Sequence, residues 1–299
     1  MTQQPTDYCY GALGPLLAGK VAVVTGGAGA IGDAICRMFA AHGADIVLAD
    51  IEATRTAETA KRVEALGRKA VPVVTDLRKR EGIDQLKKAA FDAFSHVDIL
   101  ANGLGDHLWM GGPHENSTEE QYQALYEVNL LHIFRACQAF IPSMRERGWG
   151  RIINFSSVEG IRAIPNLAVY SAFKGAINSF TKTLGVELAR YGIHVNAIAV
   201  DMIKAYQVNF YETPKELERL IPIWIPAGRY GEGEDVAKIA LFLASDLSSW
   251  VTGDIIAGDG GTLAAGGWYR TPTGWTNRPL LHQYFEDPSA AESRPPMFR

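Results

Sequence analysis

The 299-residue chain is short of cysteine, of positive charge and of long apolar runs. Its 29 lysines and arginines face 33 aspartates and glutamates, a net charge of −4 that predicts no nucleic-acid partner. Cys9, Cys36 and Cys137 are an odd number without CxxC spacing, so we expect reduced thiols and neither a disulfide framework nor a metal site. There is no run of about 18 apolar residues and no signal-peptide pattern, so we expect a cytoplasmic protein without a membrane partner.

The rest of the composition is that of a globular protein, with 47% apolar and 21% charged residues and enough length for a sizeable core. Short apolar runs rich in β-branched residues alternate with segments of helical periodicity, such as 34–43 and 54–66. Continuous apolar strands separated by helices predict an α/β fold with a doubly wound parallel sheet of about seven strands. The predicted strands are residues 21–25, 44–50, 70–76, 97–102, 151–157, 193–200 and 254–260.

One domain, residues 19–261, holds all the predicted strands, and the sequence shows no internal repeat or linker. An N-terminal extension (1–18) precedes it, and a C-terminal extension (262–299) follows it. Because disordered segments are poor in aromatic residues, we expect part of the C-terminal extension to pack. Its aromatic residues include Trp268, Tyr269, Trp275 and Tyr284.

A glycine-rich turn, TGGAGAIG at Thr25–Gly32, lies between the first predicted strand and a helix. Glycines there let backbone N–H groups approach a pyrophosphate at the helix N-terminus. Methyltransferases and plain α/β turns also carry such loops. Asp50 ends the next strand, where a carboxylate binds the ribose 2′-hydroxyl and repels a 2′-phosphate, which favours NAD over NADP. The alternative role for Asp50 is a helix-capping or loop acid.

A tyrosine and a lysine share one helix face in YSAFK, as Tyr170 and Lys174. A neighbouring ammonium favours the phenolate, which lowers the tyrosine pKa and makes the residue a general acid/base. A solvated helix pair is the alternative. The preceding FSSVEG places Ser156 and Ser157 at the carboxyl end of a strand, where α/β proteins bind ligands. Neighbouring side chains on a strand point to opposite faces, so only one of the two serines can face the tyrosine and act in catalysis.

These motifs, in this order, resemble the short-chain dehydrogenase/reductase family. TGGAGAIG resembles its TGxxxGxG loop, with Ala30 at the middle glycine, and Ser157 lies 13 residues before Tyr170, as is usual there. Asn129 in YEVNLLHIF matches the family's fourth catalytic position, and Asp76 in TDLR matches the acid that contacts adenine. The resemblance extends from about residue 17 to 261 and implies a Rossmann-type fold.

The resemblance also implies roles for these residues. Tyr170 would exchange a proton with the substrate oxygen, and Lys174 would lower its pKa and hold the nicotinamide ribose. Ser157 would bond the substrate oxygen, and Asn129 would position a water between Lys174 and solvent. The implied cofactor-binding residues are Thr25, Gly26, Ala28, Ala30, Ile31, Gly32, Asp50, Ile51, Asp76, Leu77, Asn102, Gly103, Tyr170, Lys174 and Ile203.

The chain departs from the family at two places. NGLG (102–105) replaces NNAG, so Gly103 stands where an asparagine normally braces the sheet. In VDMIKA (200–205) Asp201 replaces a glycine and Ala205 a threonine. We interpret Asp201 as a loop charge, with a substrate contact as the alternative. The backbone of Ile203 remains able to bind the carboxamide.

The predicted function is hydride transfer between NAD(H) and a secondary alcohol or ketone. An apolar, aromatic lid would suit a bulky or hydrophobic substrate, although a packed loop is the alternative. The candidate pocket residues are His107, Trp109, Tyr206 and Trp224. Three other functions stay open: a 3-oxoacyl-(carrier) reductase, a non-catalytic dinucleotide sensor and a methyltransferase. By resemblance, helices over 131–144 and 171–189 would form the faces of a homodimer or homotetramer.

Overall fold

The sheet is parallel and has seven strands, as predicted. A computed structural model describes residues 14–205, 221–266, 269–271 and 274–276 of the chain. The strand order is β3-β2-β1-β4-β5-β6-β7. Most strands end within two residues of their predicted bounds. They are β1 (Val21–Thr25), β2 (Asp45–Asp50), β3 (Ala70–Val74), β4 (Ile99–Asn102), β5 (Gly150–Ser157), β6 (Ile193–Val200) and β7 (Ile255–Gly258).

Helices connect consecutive strands, and a short hairpin follows the sheet. The helices are α1 (Ala30–Ala41), α2 (Ala53–Glu64), α3 (Arg80–Ala93), α4 (Glu119–Tyr126), α5 (His132–Arg147), α6 (Ala168–Leu188), α7 (Ile221–Trp224), α8 (Gly233–Ala244) and α9 (Thr262–Ala265). The hairpin strands are β8 (Tyr269–Thr271) and β9 (Gly274–Thr276). Among the helices in the described part of the chain, none is long and apolar enough to cross a membrane.

Each face of the sheet has its own core, which follows from the two-residue period of a strand. Val24 of β1 packs with Phe39 of α1 on one face. Val23 packs with Phe140 of α5 on the other. This arrangement leaves the carboxyl ends of the strands free to form a site. The strand order reverses between β1 and β4, the place where doubly wound sheets bind their ligands.

The centre of the sheet is braced although Gly103 replaces the family's asparagine. The Asn102 amide donates to Oδ1 of Asn154 over 2.9 Å, and the Asn154 amide donates to the Thr181 hydroxyl over 2.9 Å. A Cβ at Gly103 would lie 2.7 Å from the Thr25 carbonyl oxygen. A side chain at position 103 is therefore excluded by the approach of β1, and buried side chains of β4, β5 and α6 do the bracing.

Candidate active site

The glycine-rich turn between β1 and α1 is built by close backbone contacts. Gly26 has a φ of +67°, and a Cβ there would lie 2.9 Å from the Leu104 nitrogen. A Cβ at Gly32 would lie 2.1 Å from the Gly26 carbonyl oxygen. Side chains at these two positions would force the turn open, so the sequence pattern here reflects packing as well as ligand approach.

Asp50 ends β2 against this turn. Its carboxylate accepts the backbone N–H of Ala28 over 3.1 Å and that of Glu52 over 3.1 Å. The residue that caps α2 is Glu52, which accepts the N–H of Thr54 over 3.3 Å. Asp50 therefore does not cap the helix itself. It joins the glycine-rich turn to the next strand and lines the cavity.

A cavity of about 640 Å³ runs along the carboxyl edge of the sheet, from the glycine-rich turn to α6. Most of the predicted site residues line it. They are Gly26, Ala30, Ile31, Gly32, Asp50, Ile51, Asp76, Leu77, Gly103, His107, Ser157, Tyr170, Lys174, Ile203 and Trp224. The structure thus brings most of the predicted dinucleotide residues and three of the four predicted catalytic residues, the trio of Ser157, Tyr170 and Lys174, to one continuous space.

Five predicted residues do not line this cavity. The Thr25 hydroxyl is buried and accepts the Leu104 N–H over 3.4 Å. Ala28 is buried beneath the turn. The Asn102 side chain faces Asn154 in the core, so its sheet contacts remove it from the ligand space. Trp109 points outward, 72% exposed, and Asn129 lies buried behind the wall. Tyr206 lies outside the described residues.

Asp76 lines the adenine end predicted for it, but its carboxylate is already engaged. Arg78 binds it in a two-pronged ion pair, from Nε and Nη2, each over 2.9 Å. The Arg78 side chain holds the pKa of Asp76 below its ordinary value. Asp76 is therefore a fixed negative group, and Arg78 lines the cavity beside it.

The two serines at the end of β5 have different partners. The Ser156 hydroxyl is buried and donates to the Lys174 carbonyl oxygen over 3.1 Å. The Ser157 hydroxyl accepts the Glu159 N–H over 3.2 Å and interacts with the Tyr170 phenol. Ser157 is therefore the serine that faces the proton-transfer residue, and Ser156 anchors α6 to the strand.

The charges around Tyr170 differ from the sequence prediction. Burial raises the pKa of Tyr170 to about 12, the nearby Ser157 opposes this shift, and the carboxylates of Glu159, Asp106 and Asp201 add to it. Burial also lowers the pKa of Lys174 to about 8, while Asp106 opposes that shift. The pKa of Tyr170 is therefore raised where the sequence predicted it to be lowered, because desolvation and three acidic neighbours act on the phenol.

Lys174 and Asn129 approach each other at Gly105. Lys174 Nζ donates to the Phe155 carbonyl oxygen over 3.1 Å. Asn129 lies in a π-turn (Glu127–Leu131) between α4 and α5, and its amide donates to the Asp106 carbonyl oxygen over 2.7 Å. A Cβ at Gly105 would lie 2.9 Å from Lys174 Nζ and 3.3 Å from Asn129 Oδ1. Glycine at this position leaves room between the two side chains.

Sequence reasoning missed an ion cluster beside Ser157, Tyr170 and Lys174. Arg162 Nη2 donates to Glu159 Oε1 over 2.9 Å and to Asp201 Oδ2 over 2.8 Å. The Thr262 hydroxyl also donates to Asp201 Oδ2, over 2.6 Å. The Asp201 side chain is only 10% exposed, so it is a largely buried, paired group in the loop after β6. Its replacement of glycine was one sequence signal; Glu159 stands in FSSVEG, where only the serines were given a role, and Arg162 belongs to no motif.

The segment after β6 is rebuilt around this cluster. Met202 adopts a φ of +50°, and Ile203 pairs with Gly231 through a β-bridge. The Gly231 N–H donates to the Met202 carbonyl oxygen over 3.0 Å, and the Lys204 N–H donates to the Gly231 carbonyl oxygen over 2.9 Å. Ile203 is thereby held at the cavity wall without the family's proline and glycine.

Comparison with known proteins identifies the architecture. The model of the family described as enoyl-(acyl carrier protein) reductase matches residues 26–262. A 3-oxoacyl-[acyl-carrier-protein] reductase of Thermotoga maritima is 36% identical over 250 residues, which cover 83% of this chain and 99% of that protein. The 3beta-hydroxysteroid dehydrogenase 1 of Eggerthella lenta is 39% identical over 253 residues, 82% of this chain and 94% of that protein.

A solved structure of similar shape is that of a 7α-hydroxysteroid dehydrogenase complexed with NADH and 7-oxo glycochenodeoxycholic acid. It superposes with a TM-score of 0.77 at 29% identity and covers 83% of this chain and 95% of that one. The sheet and the cavity described above therefore belong to an architecture that also houses a reduced dinucleotide together with a keto substrate.

Proposed function

Because the chain belongs to the short-chain dehydrogenase/reductase family and is an oxidoreductase of that family, we propose that it transfers a hydride between NAD(H) and a secondary alcohol or ketone. One observation carries this proposal. Ser157, Tyr170 and Lys174 line the same cavity as the glycine-rich turn and Asp50. A dinucleotide that lies along the turn would bring its nicotinamide end to the three side chains.

The residues present fit a dinucleotide. A Cβ at Gly26 would crowd the turn, and the first turn of α1, which begins at Ala30, has backbone N–H groups without partners inside the helix that a pyrophosphate could bind. Asp50 presents a carboxylate to a ribose hydroxyl and would repel a 2′-phosphate, which supports NAD over NADP. Ile203 and Lys174 would hold the nicotinamide end. When bound, the dinucleotide supplies the hydride donor or acceptor.

The chain's own residues then handle the substrate oxygen and its proton. Ser157 would hold the oxygen by a hydrogen bond, and Tyr170 would exchange the proton with it. A phenol whose pKa is about 12 stays protonated near neutral pH, the state that donates to a carbonyl oxygen. The Lys174 ammonium would return a proton to Tyr170, and Asn129 would position a water that links Lys174 to solvent.

A bulky or hydrophobic substrate is supported by apolar residues in the cavity wall. Ile164, Leu167 and Trp224 line the same cavity as Ser157, Tyr170 and Lys174, and Trp224 is 55% exposed. Apolar walls of this kind favour a large carbon skeleton over a small alcohol. The carrier-bound substrates of 3-oxoacyl reductases are the second candidate, favoured by the Thermotoga maritima relative.

The experiment is a substrate panel with the purified full chain. We expect NADH to appear with cyclic and aromatic secondary alcohols and to disappear with the matching ketones, with NADP(H) much less active. Faster reduction of a 3-oxoacyl group on its carrier protein than of any free ketone would favour the second candidate. Tight NAD binding without turnover of any compound would instead favour the sensor function.

We also propose a homodimer or homotetramer in the cytoplasm. α5 and α6 pack on the same face of the sheet, where Phe134 of α5 contacts Phe180 of α6, and Val186 of α6 is 80% exposed. An apolar side chain so exposed at the end of a long helix suits burial against a second copy. Light scattering of the full chain tests the assembly, and a monomer at assay concentration would contradict it.

A further inference from the structure

The ion cluster of Glu159, Arg162 and Asp201 forms part of the cavity wall next to the trio. All three side chains line the cavity. Glu159 is two residues beyond Ser157, and its own N–H bonds the Ser157 hydroxyl. The negative charges of Glu159 and Asp201 both raise the pKa of the Tyr170 phenol. A substrate oxygen held by Ser157 and Tyr170 therefore has this cluster as a close neighbour.

Both the arginine and a carboxylate of the cluster can still form hydrogen bonds with a ligand. Nη2 of Arg162 serves both carboxylates, and the Arg162 side chain keeps 32% of its surface exposed. Glu159 is only 9% exposed, and its Oε2 is buried without a hydrogen-bond partner. A buried acceptor without a donor is unfavourable, so a ligand that supplies one is favoured. The cavity wall thus combines the N–H donors of Arg162 with a carboxylate oxygen of Glu159 that has no hydrogen-bond donor.

The charge balance selects among ligands for this wall. Two carboxylates already neutralise Arg162, and the cluster as a whole carries one net negative charge. A substrate carboxylate would meet Glu159 and Asp201 at close range, and like charges in a poorly solvated site repel. A neutral hydroxyl can accept from the guanidinium and donate to a carboxylate at the same time.

We propose that Glu159 and Arg162 form a specificity subsite for a second, neutral hydroxyl group on the substrate, close to the carbon that is oxidised. The substrate class is then a vicinal diol or hydroxyketone on an apolar skeleton. This inference rests on the proposed function and adds the substrate class to it. Asp201 acts as a positioning residue, because it fixes the guanidinium and is itself fixed by Thr262.

The test compares matched substrates on the full chain with NAD. The compounds are cyclohexanol, cis- and trans-1,2-cyclohexanediol and 2-hydroxycyclohexanecarboxylate, together with 1-indanol and 1,2-indanediol. We expect kcat/KM for the better diol to exceed that for the matched monohydric alcohol by about tenfold or more, the worth of one hydrogen bond to a charged group. We expect the carboxylate to be the poorest substrate.

Variants locate the effect. Arg162→Lys keeps the positive charge but loses the planar fork, and we expect the diol preference to fall about tenfold. Arg80→Lys is the matched control, an exposed arginine paired with an acid outside the cavity, and should keep the preference of the parent protein. NAD affinity from quenching of tryptophan fluorescence checks that Arg162→Lys still forms the dinucleotide site.

Each outcome decides the proposal. Equal kcat/KM for diols and monohydric alcohols, or a preference for the carboxylate, would overturn the subsite while the hydride-transfer function stands. An unchanged diol preference in Arg162→Lys would overturn the role of the cluster. Binding of NAD without oxidation of any compound would overturn the proposed function and this subsite together. If Arg162→Lys does not fold, the substrate ratios of the parent protein decide.

Discussion

Lys174 Nζ lies 5.6 Å from the centre of the Tyr170 ring, and the two side chains have pKa values displaced in opposite directions. Burial moves both groups toward their neutral forms. At neutral pH the phenol keeps its proton, and the amine holds its charge at a cost in folding free energy. The protonated phenol is the form that the proposed function needs for donation to a ketone.

The phenol is the first group to test. Tyr170→Phe removes the proton donor and leaves the ring, so we expect kcat to fall by about a thousandfold or more, since general acid–base catalysis and orientation are both lost. NAD affinity measured by titration calorimetry should stay within about threefold of the parent value. Residual turnover within tenfold of the parent would contradict the assignment of Tyr170.

Lys174 should be unfavourable for stability. Its folded-state pKa of about 8 lies below the ordinary value of 10.5, so the unfolded chain binds more protons between these values and stability rises with pH across that window. We expect Lys174→Met to raise the free energy of unfolding by about 1–3 kcal/mol at pH 7, after the loss of the bond to Phe155, because the desolvation cost disappears. The gain should shrink as the pH rises from 8 toward 10.5.

Urea denaturation at several pH values measures this difference. Lys88→Met is the control, since the Lys88 side chain is 76% exposed and pairs only with Asp92 across one helical turn. Its substitution should leave stability almost unchanged at every pH. A destabilised Lys174→Met at pH 7 would show that the hydrogen bond to Phe155 outweighs the buried charge.

Gly105 should matter for catalysis more than for folding. A Cβ there would lie 2.9 Å from Lys174 Nζ and 3.3 Å from Asn129 Oδ1. We expect Gly105→Ala to displace the amine and lower kcat by about tenfold to a hundredfold, as misplacement of catalytic groups does. Gly14→Ala, where nothing lies within 4 Å, is the control. Equal kcat in both variants would place the proton path elsewhere.

Asp50 should decide between the two dinucleotides. Asp50→Ala removes the negative charge at the ribose, so we expect the ratio of kcat/KM for NAD to that for NADP to fall by about tenfold or more. Asp50→Asn removes the charge and keeps one of the two acceptors, because its amide oxygen can accept the Ala28 N–H while its NH2 replaces the oxygen that accepts the Glu52 N–H. An unchanged ratio in Asp50→Ala would assign cofactor choice to other groups.

Thr262, which lies beyond the last strand of the sheet, should influence substrate binding through Asp201. Its hydroxyl donates to Asp201 from α9, and the residue is buried. We expect Thr262→Val to raise KM for the preferred substrate by about threefold to tenfold, as loss of one hydrogen bond at a positioning group would, with kcat less affected. Thr262→Ser keeps the hydroxyl and should behave like the parent. Differential scanning calorimetry separates this effect from general loosening.

Local sequence was enough for the sheet and for the dinucleotide end of the site. The strand at Val21–Thr25, the glycines after it and Asp50 follow from patterns read within a few residues. The pairing of Ser157 with Tyr170 also came from spacing within known motifs. These features depend on short-range backbone requirements, which a sequence records directly.

Features set by packing between distant segments were beyond the sequence. Burial raises the pKa of Tyr170, and carboxylates from three separate segments, at Asp106, Glu159 and Asp201, add to that shift. The Arg162 cluster depends on a bond between Asp201 and Thr262, which lie 61 positions apart in the sequence. Outward placement of Trp109 depends on a loop with a φ of +53°, for which its sequence gives no signal.

The bond from Thr262 to Asp201 ties the segment after β7 to the loop after β6. A chimera that grafts a foreign segment after the seventh strand would then retune which molecules are accepted while every proton-transfer group stayed in place. Substitutions in the segment after the seventh strand would thus change substrate selectivity without altering the residues that active-site engineering usually targets.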